Sequence, residues 1–323
     1  MQHKTKTYCL IFVFICTLIM YTLSTLGSYN NELISVSATS SSSDKAIILT
    51  FDDDWKNQYI YVKPILDKYG FKATFYITPG CISYQNQSFC NNTATPESVM
   101  NWSDIKSLQE NGHNIESHGM SHKDLTALSD AALEYEIGQS RMDLLDKGIN
   151  STIFGNAFAS GADNSTVIKK ISKYYDMARA GYGNYAFLKA ENNPSDMDVN
   201  NTHTSSHRYS LNVFSHYVLD NTYKYDRSKI LSEFIEWLNN QTQYHNDGEI
   251  NAIPIIVYHN IDSLKNDIDP DWVSSTTDVD IFDEEMKYLY ENNIMVLTMS
   301  DLGYNQSSGD VYIKNFNPNS INN

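Results

Sequence analysis

The chain has 323 residues, 41% of them hydrophobic, and a formal charge of −16 at neutral pH. That apolar share supports a sizeable core, and the length fits one large α/β barrel or two smaller domains. The acidic balance excludes a nucleic-acid partner, whose phosphates need a basic surface, and leaves room for a neutral or cationic polymer.

His3, Lys4 and Lys6 precede an apolar run from Tyr8 to Leu23. This is a positive n-region followed by an h-region, as in a secretory signal. The run lies between a signal h-region and a spanning helix of roughly 20 residues. Residues 1–26 therefore read as a signal peptide or as an N-terminal membrane anchor; Val36-Ser37-Ala38 offers a late cleavage site. With basic residues leading, both outcomes put the body outside. Asn-x-Ser/Thr acceptors at Asn86, Asn91, Asn101, Asn150, Asn164, Asn200, Asn240 and Asn305 agree with export and glycosylation. Cys9 and Cys16 fall within the apolar run, leaving Cys81 and Cys90 as a pair expected to form a disulfide.

Residues 27–44 are rich in Ser and Asn and suit a flexible linker. From Lys45, strand-like runs alternate with helix-like ones, the βαβ rhythm of a parallel sheet or barrel. Strands are expected at 46–51, 72–77, 114–117, 153–158, 177–180, 253–258 and 294–298. Helices are expected at 64–69 (Pro64 in its first turn, Gly70 as its stop), 103–111, 129–147, 165–174, 226–240 and 280–292. Leu133, Ile137, Leu144 and Leu145 trace the buried stripe of the 129–147 helix. Residues 181–206 read as loop, and the end after Gly309 is expected to fray. The body is thus placed at 45–303, with a polar tail at 304–323.

Chemistry-bearing residues stand just past three of these strands: Asp52 and Asp53, His118 and His122, and His259. In parallel α/β folds the loops at that end gather the site. Each motif alone is common; their combination is what the chemistry needs. Two neutral imidazoles and one carboxylate hold a divalent metal and leave positions open. The metal brings the pKa of its water towards roughly 7, so a second carboxylate is a competent base. A further imidazole across the site can protonate a leaving amine. Successive strand residues point opposite ways, so Asp52 and Asp53 require the strand to end between them.

Thr50-Phe-Asp-Asp53, Lys72-Ala-Thr-Phe-Tyr76, Asn111-Gly-His-Asn-Ile-Glu-Ser-His-Gly-Met-Ser-His122 and Val257-Tyr-His-Asn260 resemble the polysaccharide deacetylases, the NodB-homology group of carbohydrate esterases. The resemblance spans about Lys45 to Asp301. It implies a distorted (β/α) barrel of about seven strands and a hydrolase removing N-acetyl or O-acetyl groups from an extracellular or cell-surface polysaccharide. A divalent ion, zinc first among candidates, would activate the water that attacks the acetyl carbonyl. Carried over, Asp52 becomes the general base, Asp53, His118 and His122 the metal ligands, and His259 the general acid. One departure stands out. The family has an Arg after its fourth strand that orients the base; here the nearest match, Asn156-Ala-Phe-Ala-Ser-Gly161, has Ala157 in its place. Arg208, in His207-Arg-Tyr-Ser210, reads first as a surface arginine and second as a group approaching Asp52 from another loop. The alternatives are a catalytically impaired glycan-binding protein on the same fold and an amide hydrolase for a non-sugar substrate.

Overall fold

The computed structural model describes residues 44–82, 98–158, 164–183, 185–189, 207–216, 226–245, 249–263 and 276–316. All belong to one unit, Ser41–Asn323. The apolar run at 8–23, the proposed linker and Cys90 lie outside the described residues. Among the described residues, no helix is long and apolar enough to cross a membrane.

Seven parallel strands form a closed barrel: β1 (Ala46–Phe51), β2 (Thr74–Ile77), β3 (Asn114–Ser117), β4 (Ile153–Gly155), β5 (Met177–Tyr182), β7 (Leu211–Ser215) and β9 (Ile255–Tyr258), with β1 pairing β9 to close the ring. The alternation of β1 explains the layering. Ala46 and Ile48 pack inward with Tyr76, Ile153, Met177, Val213, Ile255 and Val257. Ile47, Leu49 and Phe51 pack outward with Leu66, Ile105, Phe282 and Met286 of the helical shell. A strand covered on both faces reads as a continuous apolar run, which is why β1 and β9 are legible as such.

The helical shell comprises α1 (Lys63–Tyr69), the single turn α2 (Pro79–Ile82), α3 (Trp102–Glu110), α4 (Asp130–Leu133), α5 (Ser140–Asp146), α6 (Ser165–Ile171), α7 (Arg227–Asn240) and α8 (Val279–Glu291). Gly70 ends α1 with φ +74°, the left-handed cap that favours glycine. Asn101 caps α3 through a reciprocal box with Asp104. The expected helix at 129–147 forms, but π-helical residues Glu134–Gln139 join α4 to α5. That turn shifts the phase of the helix, so Leu133, Ile137 and Leu144 are buried while Leu145 faces solvent.

Four expectations change. The strand β7, unassigned in the sequence, is the barrel's sixth, whereas the last expected strand, β12 (Met295–Leu297), is not one of the seven. Ile48 pairs with both Leu297 and Ile255, so β12 and β9 lie on opposite edges of β1. The run 253–258 divides at Pro254, which cannot donate to a ladder. Ahead of it β8 (Ala252–Ile253) pairs antiparallel with β6 (Ala186–Phe187), inside the segment expected as loop. Finally, β13 (Leu302–Tyr304) and β14 (Val311–Ile313) form an antiparallel hairpin where a frayed tail was expected. Leu302, Val311 and Ile313 join the inner cluster with Ala46 and Ile48, sealing the end where the strands begin. Alternation around polar Asn-Ser-Gly turns hides such a short hairpin.

Candidate metal centre

The inward series of β1 continues past the strand to Asp52, whose N–H makes a last ladder bond to the Tyr258 carbonyl (2.9 Å). There the chain turns: Asp53 and Asp54 both take left-handed φ, +69° and +57°. Aspartate tolerates this conformation better than most residues. The turn lets two adjacent carboxylates serve one site instead of opposite faces of the sheet. Asp52 is 3% exposed. Asp54 is buried as well and accepts the Thr78 N–H through both oxygens (3.0 and 3.1 Å), which ties the ends of β1 and β2 together. Burial raises its carboxyl pKa to about 8.

His118 follows β3 in the same inward register. Its Nδ1–H donates to the Gly155 carbonyl (2.8 Å), which turns Nε2 towards Asp53. His122 reaches the same point from a left-handed residue, φ +54°. The intervening turn is held from behind by Glu136, a buried carboxylate that accepts from the N–H groups of Met120 (3.0 Å) and Ser121 (2.8 Å) and from the Ser121 hydroxyl. Gly80 of α2 donates its N–H to the Met120 carbonyl (3.0 Å), and a Cβ there would sit 2.4 Å from that oxygen. Glu136 gives no sign of this role in the sequence, because it reads as one more polar residue on a helix.

Ligand atoms of Asp53, His118 and His122 all lie within 4.8 Å of one another. Asp53 Oδ1 is 3.1 Å from His122 Nε2 and 3.5 Å from His118 Nε2. Donors bound tetrahedrally at 2.0–2.1 Å, as around zinc, stand about 3.3 Å apart. The side chains therefore fit a divalent ion. Burial would raise the Asp53 pKa, yet bonds from His118 and His122 outweigh it and hold the carboxyl well below the usual range. Burial likewise opposes a charge on His122, but Asp53 lifts its pKa above the ordinary value. Such mutual attraction of a carboxylate and imidazoles is what an ion would replace.

The guanidinium expected beside Asp52 is present, and it comes from β5. Arg179 is 2% exposed and donates through Nη2 to Asp52 Oδ1. Its guanidinium lies over the Tyr76 ring, 4.0 Å from the centroid. Gly155 on β4 pairs with Arg179 across the sheet, and a Cβ there would sit 2.6 Å from the Tyr76 ring. Thus β4 has no room for a side chain at this level and the neighbouring strand fills it. Arg208 does not approach Asp52: it stacks on Tyr304 (4.0 Å) and donates to the Tyr209 hydroxyl (3.1 Å). A lone Arg within the apolar-small run Met177-Ala-Arg-Ala-Gly-Tyr182 was the available sequence signal.

His259 follows β9, half-buried, and its charge favours ionised Asp53. Asp52, Asp53, His118, His122 and His259 thus gather at one end of the barrel, with Arg179 added and Arg208 removed. Glu116, in β3, and His113, just ahead of it, read as structural. Glu116 accepts from Ser151 Oγ (2.7 Å) and the N–H groups of Thr152 (2.8 Å) and Ile153 (2.9 Å). Phe158, 41% exposed, meets the His122 ring edge-on at 5.2 Å between centroids. The Cys81–Cys90 pairing falls outside the described residues because of Cys90.

Residues 39–178 match the family model described as polysaccharide deacetylase. YxkH of Bacillus subtilis (strain 168), named as a polysaccharide deacetylase, is 27% identical over 131 residues, covering 41% of this chain and 42% of its own length. A gellan lyase of Bacillus sp is 26% identical over 141 residues, 43% of this chain and 5% of that protein. The chain therefore spans less than half the length of these curated relatives. Among solved structures, the family 4 carbohydrate esterase of Streptomyces lividans in complex with acetate is 14% identical, with a TM-score of 0.46 over 84% of this chain and 98% of that one. The resemblance read from the motifs is borne out: the matched segment carries Asp52, Asp53, His118 and His122.

Proposed function

On the premise that this chain is related to the polysaccharide deacetylases, we propose that it is a metal-dependent hydrolase that removes acetyl groups, N-acetyl or O-acetyl, from an extracellular or cell-surface polysaccharide. The observation that carries this reading is the convergence of Asp53, His118 and His122 within 4.8 Å, with Asp52 beside them bonded to Arg179. A divalent ion bound there, zinc first among candidates, would polarise the acetyl carbonyl and acidify water.

The chain's own groups account for the proton transfers. Asp52 takes the proton of the attacking water, and Arg179 fixes which of its oxygens is free: Oδ1 is bonded to the guanidinium, leaving Oδ2 facing the ligand side, 3.5 Å from His118 Nε2. The Gly155 carbonyl keeps the His118 proton on Nδ1. His259, from the strand paired with β1, delivers a proton to the departing amine or alcohol. Burial of Asp52 and Arg179 strengthens each of these interactions relative to water.

The alternative of an impaired glycan-binding protein drew its force from a missing guanidinium, and the bond from Arg179 to Asp52 supports hydrolysis instead. Export remains part of the proposal. It is supported by the apolar N-terminal run and by the exposure of the acceptor asparagines Asn101, Asn150, Asn240 and Asn305. A Cys81–Cys90 disulfide and glycosylation belong with it. The test is acetate release from chitooligosaccharides and acetylated xylan by the purified protein, stripped of metal and then reloaded with zinc. Release that appears only on reloading is expected; absence of release on every acetylated polymer tried, with zinc bound, rejects the reading.

A further inference from the structure

The ladder between β1 and β9 ends at the bond from Asp52 N–H to the Tyr258 carbonyl. Beyond it the strands part: Asp53 turns left-handed, and Asn260 enters β10 (Asn260–Asp262). Among the described residues, the carbonyls of Asp52 and His259 accept no backbone ladder bond at this point. A single side chain serves both. The Gln58 carboxamide donates through Nε2 to the Asp52 carbonyl (2.6 Å) and to the His259 carbonyl (2.9 Å). Two carbonyl acceptors require the amide nitrogen on that side, which fixes the orientation of the group. Gln58 is wholly buried, and among the described residues its Oε1 accepts no hydrogen bond.

The surroundings form a clamp. Gln58 opens the π-helical residues Gln58–Val62 that lead into α1, and its N–H is held by the Trp55 carbonyl (2.9 Å). One residue earlier, Asn57 Nδ2 donates to Asn260 Oδ1 (3.2 Å), and Asn260 Nδ2 in turn donates to Thr276 Oγ1 (3.2 Å). This segment therefore crosses from the end of β1 to the end of β9 at the level where the chemistry lies.

We propose that Gln58 is a positioning residue that sets the separation of the proton acceptor Asp52 and the proton donor His259 by holding both backbones with one –NH₂ group. The inference rests on the deacetylase reading, which gives those two residues their roles. Substrate and metal are bound by other groups, so the strap acts on turnover. A displacement of about 1 Å between reacting groups costs up to roughly a hundredfold in rate.

Two variants of the full chain test this. Gln58→Met keeps the volume and removes both donors; Gln58→Glu, kept protonated by burial at neutral pH, returns one donor and loses it as pH rises. The measurements are kcat and KM for acetate release from a chitooligosaccharide, zinc affinity, and the ring titration of His259 followed by NMR on histidine-labelled protein. For Gln58→Met we expect kcat to fall about ten- to a hundredfold, KM to stay within about twofold, zinc affinity to hold, and the His259 titration to move. For Gln58→Glu we expect intermediate turnover with an added alkaline decline that the parent lacks. Unchanged kcat in Gln58→Met, or loss of zinc along with turnover, overturns the inference. If the parent itself releases no acetate, the deacetylase reading fails by its own test, and the His259 titration in Gln58→Met still decides whether the strap holds that residue.

Discussion

Gly155 and Arg179 stand directly opposite each other on adjacent parallel strands, and the absence of a side chain at Gly155 makes room for the Tyr76 ring on which the Arg179 guanidinium lies. The guanidinium that the motif resemblance places after β4 stands on β5 instead, bonded to Asp52.

Arg179→Met is expected to lower kcat by roughly two orders of magnitude while zinc binding persists, since Arg179 touches Asp52 and no proposed ligand. Arg179→Lys is expected to recover little, because one ammonium cannot both lie flat on Tyr76 and reach Asp52 as a planar guanidinium does. Arg208→Ala should leave turnover near that of the parent. Comparing kcat with bound zinc for the three variants checks the assignment.

Asp52→Asn should retain zinc and lose turnover by a factor of about a hundred or more, whereas His118→Ala should lose both. Equal activity in Asp52→Asn and parent would refute the assigned base. Metal content by mass spectrometry alongside acetate release distinguishes the two losses.

Glu136→Gln retains size but weakens the acceptors that hold the Met120 and Ser121 N–H groups. Because those groups lie between the two imidazoles, zinc affinity is expected to drop about ten- to a hundredfold. Competition with a chromophoric chelator measures it.

His113 predicts a pH dependence of stability separate from catalysis. Burial, with help from the nearby Lys72 charge, lowers its pKa from 6.5 to about 4. Its Nδ1 accepts the Ala73 N–H (3.3 Å), a bond that the protonated ring cannot receive. The unfolded chain therefore takes up the proton first as pH falls. His113 contributes stability that is fully present above about 6.5 and is lost progressively towards pH 4, by up to roughly 3 kcal/mol. His113→Asn should flatten the denaturant midpoint across that window; an unchanged slope would rule out His113 as its source.

Much of the barrel is readable from the chain because buried parallel strands are apolar on both faces. Ala46–Phe51 and Ile255–Tyr258 fall within the runs where the pattern places them, and glycine stops and Asn, Ser and Asp caps fix the helix ends to within a few residues. Asp52 and His259 are legible for a related reason, each lying immediately after such a run, and His118 and His122 by their spacing just past β3. What escaped was whatever depends on partners distant in sequence. Leu211–Ser215 alternates Leu, Asn, Val, Phe and Ser, too mixed for a buried run, and only its place between β5 and β9 makes it a strand. Arg179 looks like an interruption of a strand until Asp52 is seen across the barrel. Gln58 and Glu136 act on backbone carbonyls and N–H groups, which leave no mark on side-chain patterns.

The hairpin that fills the floor of the barrel has a consequence for how the protein matures. Ala46 pairs with Met295, and Val311 and Ile313 complete the packing around Ile48. An amino-terminal half emerging from a ribosome or a translocation pore has no way to bury these surfaces by itself. Closure waits for contacts some 250 residues apart, and such long-range contacts slow the search for the native state. Deleting residues after 303 to trim an apparently polar tail would leave a bottomless vessel, prone to clumping as it is made.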